Sequence, residues 1–138
     1  MTVIQGHPGI GKRVRGRALV AKDGFSARYD LDRLAGTFSR PTHKLFGQSY
    51  VGRVLVLDQA KGGVATAWML REMAAIGKAP LALLLNFANP VMAQGAAFGE
   101  VTLMDRFEGD ITGLVPDGAE VEVDPAAGTV TILGDPAA

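Results

Sequence analysis

Two apolar runs constrain this chain more than any other feature: Val54-Leu55-Val56-Leu57 and Leu81-Ala82-Leu83-Leu84-Leu85. Between them lie a glycine turn, Lys61-Gly62-Gly63, and a stretch of helical composition that ends at about Ile76, with Gly77 as C-cap and Pro80 beyond. Strand, helix and strand at this spacing make a βαβ crossover, so the two strands should be parallel and the connection right-handed. The order also puts a helix N-terminus at the carboxyl end of a strand. Its unpaired N–H groups and partial positive charge suit a carboxylate or phosphate. Residues Lys61, Gly62, Gly63 and Val64 are therefore the candidate anion-binding turn, with Thr66 offering a hydroxyl in the first helical turn.

Other elements surround this unit. Val14–Val20 alternates enough to be a strand, and Phe25–Tyr29 reads as a second short one. Asp30–Phe46 is poorly patterned and reads as a long loop. The strand before the turn spans Tyr50–Leu57. On the helix, Trp68, Met69, Met73 and Ile76 form the expected buried side, with Arg71 and Glu72 outward. A short helix starts with Pro90 at its first position and ends near Gly95, followed by a strand at Val101–Leu103. Ala119–Asp124 and Thr129–Leu133 alternate on either side of Pro125-Ala126-Ala127-Gly128, which predicts a hairpin. The expectation is one mixed α/β domain over residues 1–138, with a parallel βαβ core and flanking antiparallel strands. Residues 1–13 read as a lead-in and 134–138 as a tail.

Composition excludes several classes of function. Lys plus Arg equals Asp plus Glu at 14 each, which argues against a nucleic-acid or polybasic membrane footprint. The absence of cysteine removes thiolate ligands and disulfides, and two histidines cannot make a three-His metal site. Neither a signal-peptide pattern nor a membrane-length apolar run is present, so a soluble cytoplasmic protein is expected. Gly6-His7-Pro8-Gly9-Ile10-Gly11-Lys12-Arg13 comes close to a phosphate loop, but Arg13 stands where a Ser or Thr should hold magnesium, and a strand follows instead of a helix. His43 reads as a hydrogen-bonding loop residue, and Asp105-Arg106 as a surface pair worth little.

The run His43-Lys44-Leu45-Phe46-Gly47-Gln48-Ser49-Tyr50-Val51-Gly52-Arg53, followed by Val54–Leu57, resembles the small subunit of aconitase X. Lys61-Gly62-Gly63 sits at that family's glycine–serine turn, Gly77-Lys78-Ala79-Pro80-Leu81-Ala82 at its entry to the next strand, and Gln94-Gly95-Ala96-Ala97 ahead of a short strand. Gly16–Val20 matches its opening strand and Phe25-Ser26 the region after it. The resemblance implies a swivelling β/β/α domain that works with a larger catalytic subunit. That partner would carry the iron or iron–sulfur centre, whose Lewis acidity activates the leaving hydroxyl; this chain would bind no cofactor or metal. The implied reaction is dehydration of a small hydroxy acid, cis-3-hydroxy-L-proline in bacterial members and phosphorylated mevalonate in archaeal ones. The family's turn serines, one of them the proton-abstracting residue, are replaced here by Gly63 and Val64. Thr66, Ser26 and Ser49 are the hydroxyls that remain as catalytic candidates. The alternative is a non-catalytic lid, scaffold or anion-binding subunit.

Overall fold

The computed structural model describes residues 2–25, 30–59, 64–88 and 90–134. A seven-stranded sheet runs in the order β1-β9-β8-β2-β5-β6-β7. Its strands are β1 (Thr2–Gln5), β2 (Val14–Val20), β5 (Val54–Gln59), β6 (Ala82–Phe87), β7 (Thr102–Met104), β8 (Glu120–Asp124) and β9 (Thr129–Gly134). A two-stranded hairpin, β3 (Leu31–Asp32) with β4 (Thr37–Phe38), stands apart from it. The helices are α1 (Val64–Ala75), α2 (Pro90–Phe98) and the short α3 (Ile111–Leu114).

β2 divides the sheet into two regimes. Its first half, Val14 to Arg17, pairs antiparallel with β8, and its second half, Ala18 to Val20, pairs parallel with β5. β5, β6 and β7 continue the parallel part, while β8, β9 and β1 form the antiparallel part. Side chains alternate between two cores, as the two-residue period of a strand requires. Leu55, Leu57, Leu83 and Leu85 join Leu70 and Met73 of α1 and Ala96 of α2. Val54, Val56, Ala82 and Leu84 face the other way and pack with Ile4, Ala18, Met104, Val121, Val123 and Val130. All seven strands thus contribute to one interior, which Ile111 and Val115 of the α3 region plug.

The N-terminal segment is a structural element, contrary to its reading as a lead-in. β1 forms one edge of the sheet on β9. The chain then crosses to the opposite edge, where Ile10 and Leu103 exchange both backbone hydrogen bonds at 2.9 Å. On the way Gly6 and Gly9 donate to the β8–β9 turn at Gly128 and Pro125. The same few residues therefore tie both edges of the sheet, leaving it nearly closed. Gly9 is required there: a Cβ on it would lie 2.0 Å from the Leu103 carbonyl oxygen. The near-match to a phosphate loop is spent on this tie.

Other boundaries shift for identifiable reasons. Residues 30–46 are not structureless, because Asp30–Phe46 contains the β3–β4 hairpin. β5 starts at Val54 instead of Tyr50, since Gly52 turns through φ +69° just before it. α2 continues past Gly95 to Phe98, because an internal glycine weakens a helix by about 1 kcal/mol without ending it. α1 does end as expected: Gly77, at φ +73°, and Lys78 donate back to Ala74 and Met73, closing a Schellman cap. Its buried face is Leu70 and Met73, whereas Trp68 and Ile76 are 54% and 53% exposed. Phe25 forms only an isolated pairing, and the rest of the expected Phe25–Tyr29 strand lies outside the described residues, as do 135–138 of the tail.

Candidate active site at the carboxyl ends of the parallel strands

In open α/β sheets ligands bind beyond the carboxyl ends of parallel strands, where loops diverge and helices begin. Here those ends bear Asp58 and Gln59 on β5, Asn86 and Phe87 on β6, and Asp105 and Arg106 just after β7. β5 stops at Gln59 and α1 starts at Val64, so the predicted anion turn connects the two. Lys61, Gly62, Gly63 and Ser26 themselves lie outside the described residues. Val64 is the first residue of α1 and Thr66 the third, which keeps both at this end of the sheet. Ser49 is not there. It is exposed, its Oγ accepts the Val51 N–H at 3.3 Å, and the residues after it bond to Gly36 and Ala79 near the amino end of β5. A full strand of six residues, roughly 20 Å, separates it from Gln59.

One wall of the site is a polar network that begins in register. Asp58 and Asn86 are the first polar residues after the two apolar runs, and the β5–β6 pairing sets them side by side on the interior face. Asn86 donates to Asp58 and to Asp110, both at 2.8 Å, and accepts the Ile111 N–H at 2.8 Å. Asp110 is the N-cap of α3, bonded to the amide and hydroxyl of Thr112, with Lys22 at 3.6 Å. The hydrogen bonds from Asn86 and Thr112, against a small opposing effect of burial, hold the Asp110 carboxyl down to about 2. This network anchors α3 over the end of the barrel and fully occupies Asn86.

The opposite wall is built from two loops. Phe25 donates to Gln59 at 2.9 Å and Asp58 to Asp23 at 2.9 Å, so residues 23–25 run along the end of β5. His43, fully buried and stacked on Phe38 at 4.5 Å, joins them to the 40–45 loop. The Leu45 N–H donates to its Nδ1 at 3.0 Å, so Nε2 carries the proton and donates to the Gly24 carbonyl at 2.9 Å. Asp23 and Asp30 lie 3.8 and 3.9 Å from Nε2, and Arg40 bridges both carboxylates. Burial alone would raise the Asp23 pKa. Hydrogen bonds from the Gly24 and Lys44 amides and the Arg40 charge outweigh it and hold the group below its ordinary value. The expectation of a hydrogen-bonding His43 agrees with this geometry. Its carboxylate neighbours were invisible in sequence, being 13 and 20 positions away.

Asp105 and Arg106 form the third side. Asp105 accepts the Ala88 N–H at 3.0 Å and so fixes the connection from β6 toward α2. Arg106 adopts φ +57°, donates its own N–H to Asn86 at 3.1 Å and lies over the Phe87 ring at 5.2 Å. The pair is a surface pair, with the Arg106 side chain 53% exposed, and it borders the candidate site.

The described residues contain no group of three or more His, Cys, Asp or Glu able to hold a metal ion, and the chain has no cysteine. An iron or iron–sulfur centre does not fit the side chains described here. No helix among the described residues is long and apolar enough to cross a membrane.

Residues 3–132 match the family model of the aconitase X swivel domain. The chain belongs to the aconitase X swivel-domain family. A phosphomevalonate dehydratase small subunit from Methanocella arvoryzae is 33% identical over 129 residues, covering 94% of this chain and 98% of that one. A protein of the same description from Methanothermobacter thermautotrophicus is 33% identical over 116 residues, covering 84% and 88%. The crystal structure of aconitase X from Thermococcus kodakaraensis in its holo form superposes with a TM-score of 0.89 at 24% identity, over 96% of this chain and 99% of that one. The swivel-domain fold, with its parallel core strands beside an antiparallel set, is thereby established for this chain.

Proposed function

We propose that this chain is the small subunit of an aconitase-X-type hydro-lyase and that, with a larger subunit, it removes water from a small phosphorylated hydroxy acid such as phosphomevalonate. The observation that carries the proposal is the match of almost the whole chain to relatives described as phosphomevalonate dehydratase small subunits. Those relatives favour a phosphomevalonate-like substrate over cis-3-hydroxy-L-proline. In this reading Lys61, Gly62, Gly63 and Val64 hold an anionic group of the substrate at the first turn of α1. The iron or iron–sulfur centre belongs to the larger subunit.

What this chain contributes is shape and electrostatics. The His43–Asp23 wall and the Asn86–Asp110 wall fix the loops at the carboxyl end of β5 around the bound ligand. Thr66, the third residue of α1, is proposed to assist proton removal. Gly63 and Val64 lack the hydroxyls that the family's turn carries, and this favours a second reading in which the chain is a lid or scaffold that closes on the partner's site.

Reconstitution with the larger subunit of the same cell tests the proposal, following water loss from phosphomevalonate. Activity is expected only when both chains are present. Full activity of the larger subunit alone, or none from the pair, overturns the dehydratase reading. In the assembled pair, Thr66→Ala should lower kcat at least tenfold with assembly intact. An unchanged kcat selects the lid.

A further inference from the structure

We propose that Arg106 is an anion-recognising residue that receives the phosphate end of the ligand at the β7 rim of the site; calling that ligand the substrate rests on the dehydratase reading above. Four independent features of the structure converge on this residue.

The first is its backbone. At φ +57°, Arg106 occupies the left-handed region that disfavours a residue with a Cβ. Glycine would take that conformation without strain, so an arginine there is kept for its side chain. The second is how the residue is held. Its N–H bonds to the Asn86 carbonyl at 3.1 Å, which folds the guanidinium back over the end of β6. There it lies on Phe87, a large aromatic left 43% exposed at the rim, with its carbon 5.2 Å from the ring centre. A guanidinium on an aromatic face keeps its edge N–H groups free for an oxyanion.

The third feature is its charge balance. The side chain is 53% exposed, and among the described residues its one ion pair is with Asp105 at 3.6 Å. That carboxylate is already hydrogen-bonded to the Ala88 amide, and the guanidinium has no hydrogen-bond acceptor among the described residues. Asp105 thus orients Arg106 and takes one edge of it, leaving the rest open to solvent and to a ligand. The fourth is space. A cavity of about 200 Å³ opens between Pro8, Gly9 and Ala88, and Arg106 and Asp105 are the charged residues in its wall. At about 30 Å³ for each water in the liquid, that volume admits a phosphate group with a few waters.

The location suits one end of an extended ligand. β7 lies two strands from β5, and two strand spacings amount to about 10 Å. A small acid lying across the carboxyl ends of β5, β6 and β7 would present one anionic end to Arg106, which would then set specificity for a phosphorylated substrate.

Chemical labelling of the assembled two-subunit complex tests the assignment without depending on turnover. Phenylglyoxal modifies accessible arginines, and mass spectrometry reads each site separately. Inorganic phosphate should slow modification of Arg106 at least fivefold while leaving the exposed Arg17, level with the amino end of β5, unchanged. Modification of Arg106 at the same rate with and without phosphate overturns the proposal. With phosphomevalonate as substrate, Arg106→Gln should raise KM about tenfold or more with kcat within threefold, and Arg106→Lys should recover part of the loss. With unphosphorylated mevalonate as a competitive ligand, the same variant should bind as the parent complex does. Equal weakening for both ligands overturns the phosphate assignment. Should the complex not act on phosphomevalonate, the dehydratase reading fails, and protection by phosphate still decides the role of Arg106.

Discussion

Single residues carry much of what distinguishes this domain, and Tyr50 shows how a physical cost can sit in its core. The side chain is completely buried between the hairpin and the sheet, edge-on to Phe38, and its hydroxyl has no hydrogen-bond partner among the described residues. Burial pushes the phenol up to about 12, so it remains neutral and simply forfeits its water. Tyr50→Phe should leave the protein as stable or more stable, by about 1 kcal/mol. Urea unfolding checks this, and a loss of stability would mean that the hydroxyl has a partner. His43 is the opposite case, a buried polar ring with both nitrogens satisfied. The sequence shows that His43 lies in a loop with basic neighbours. It does not show Asp23 and Asp30 beside it, because the contacts join segments with no common periodicity.

Among the elements, α3 was not anticipated at all, and its four residues explain why. A single turn has no periodicity to read, and its stability comes from its cap and from Ile111 in the interior. The cap makes it testable by pH. The Asp110 carboxyl is held at about 2, below its ordinary 3.8. Because the folded-state value is the lower one, the stabilisation is complete above about pH 4 and fades as pH falls toward 2. With the side chain 44% exposed, screening limits the effect to about 1 kcal/mol or less. Asp110→Asn keeps an oxygen for Asn86 and Thr112 and should flatten that part of the stability profile, measured by urea titrations between pH 2 and 5. An undiminished acid slope in the variant would assign it elsewhere, Asp23 being the other carboxylate held low. α1 teaches a complementary point. Its ends were legible from Gly77 and the glycine turn, but Trp68 and Ile76 were assigned to the wrong face. A helix so rich in apolar residues carries too weak an asymmetry to orient itself, and packing beside α2 decides the matter.

At the scale of the whole molecule, closure of the sheet is the organising event. Residues 6–10 bind the β8–β9 turn and β7 at once, so one short segment holds both halves of the barrel together. Gly9→Ala would drive a Cβ against the Leu103 carbonyl, a backbone atom that cannot move aside without breaking the Ile10–Leu103 pair. A loss of about 2–3 kcal/mol is expected, with faster hydrogen exchange at the Ile10 and Leu103 amides; unchanged stability would show that the tie is dispensable. The parallel core and the β8–β9 hairpin were determined by the sequence alone, because apolar runs, alternation and glycine caps act over a few neighbouring residues. Residues 60–63 remain a sequence-based proposal on that footing. Only the tertiary structure decided that β1 and the glycine-rich segment close the barrel, that His43 is clasped by distant carboxylates, and that Arg106 stands at the rim. Those features depend on which strand edges meet, and edge meetings are settled by the packing of the whole chain.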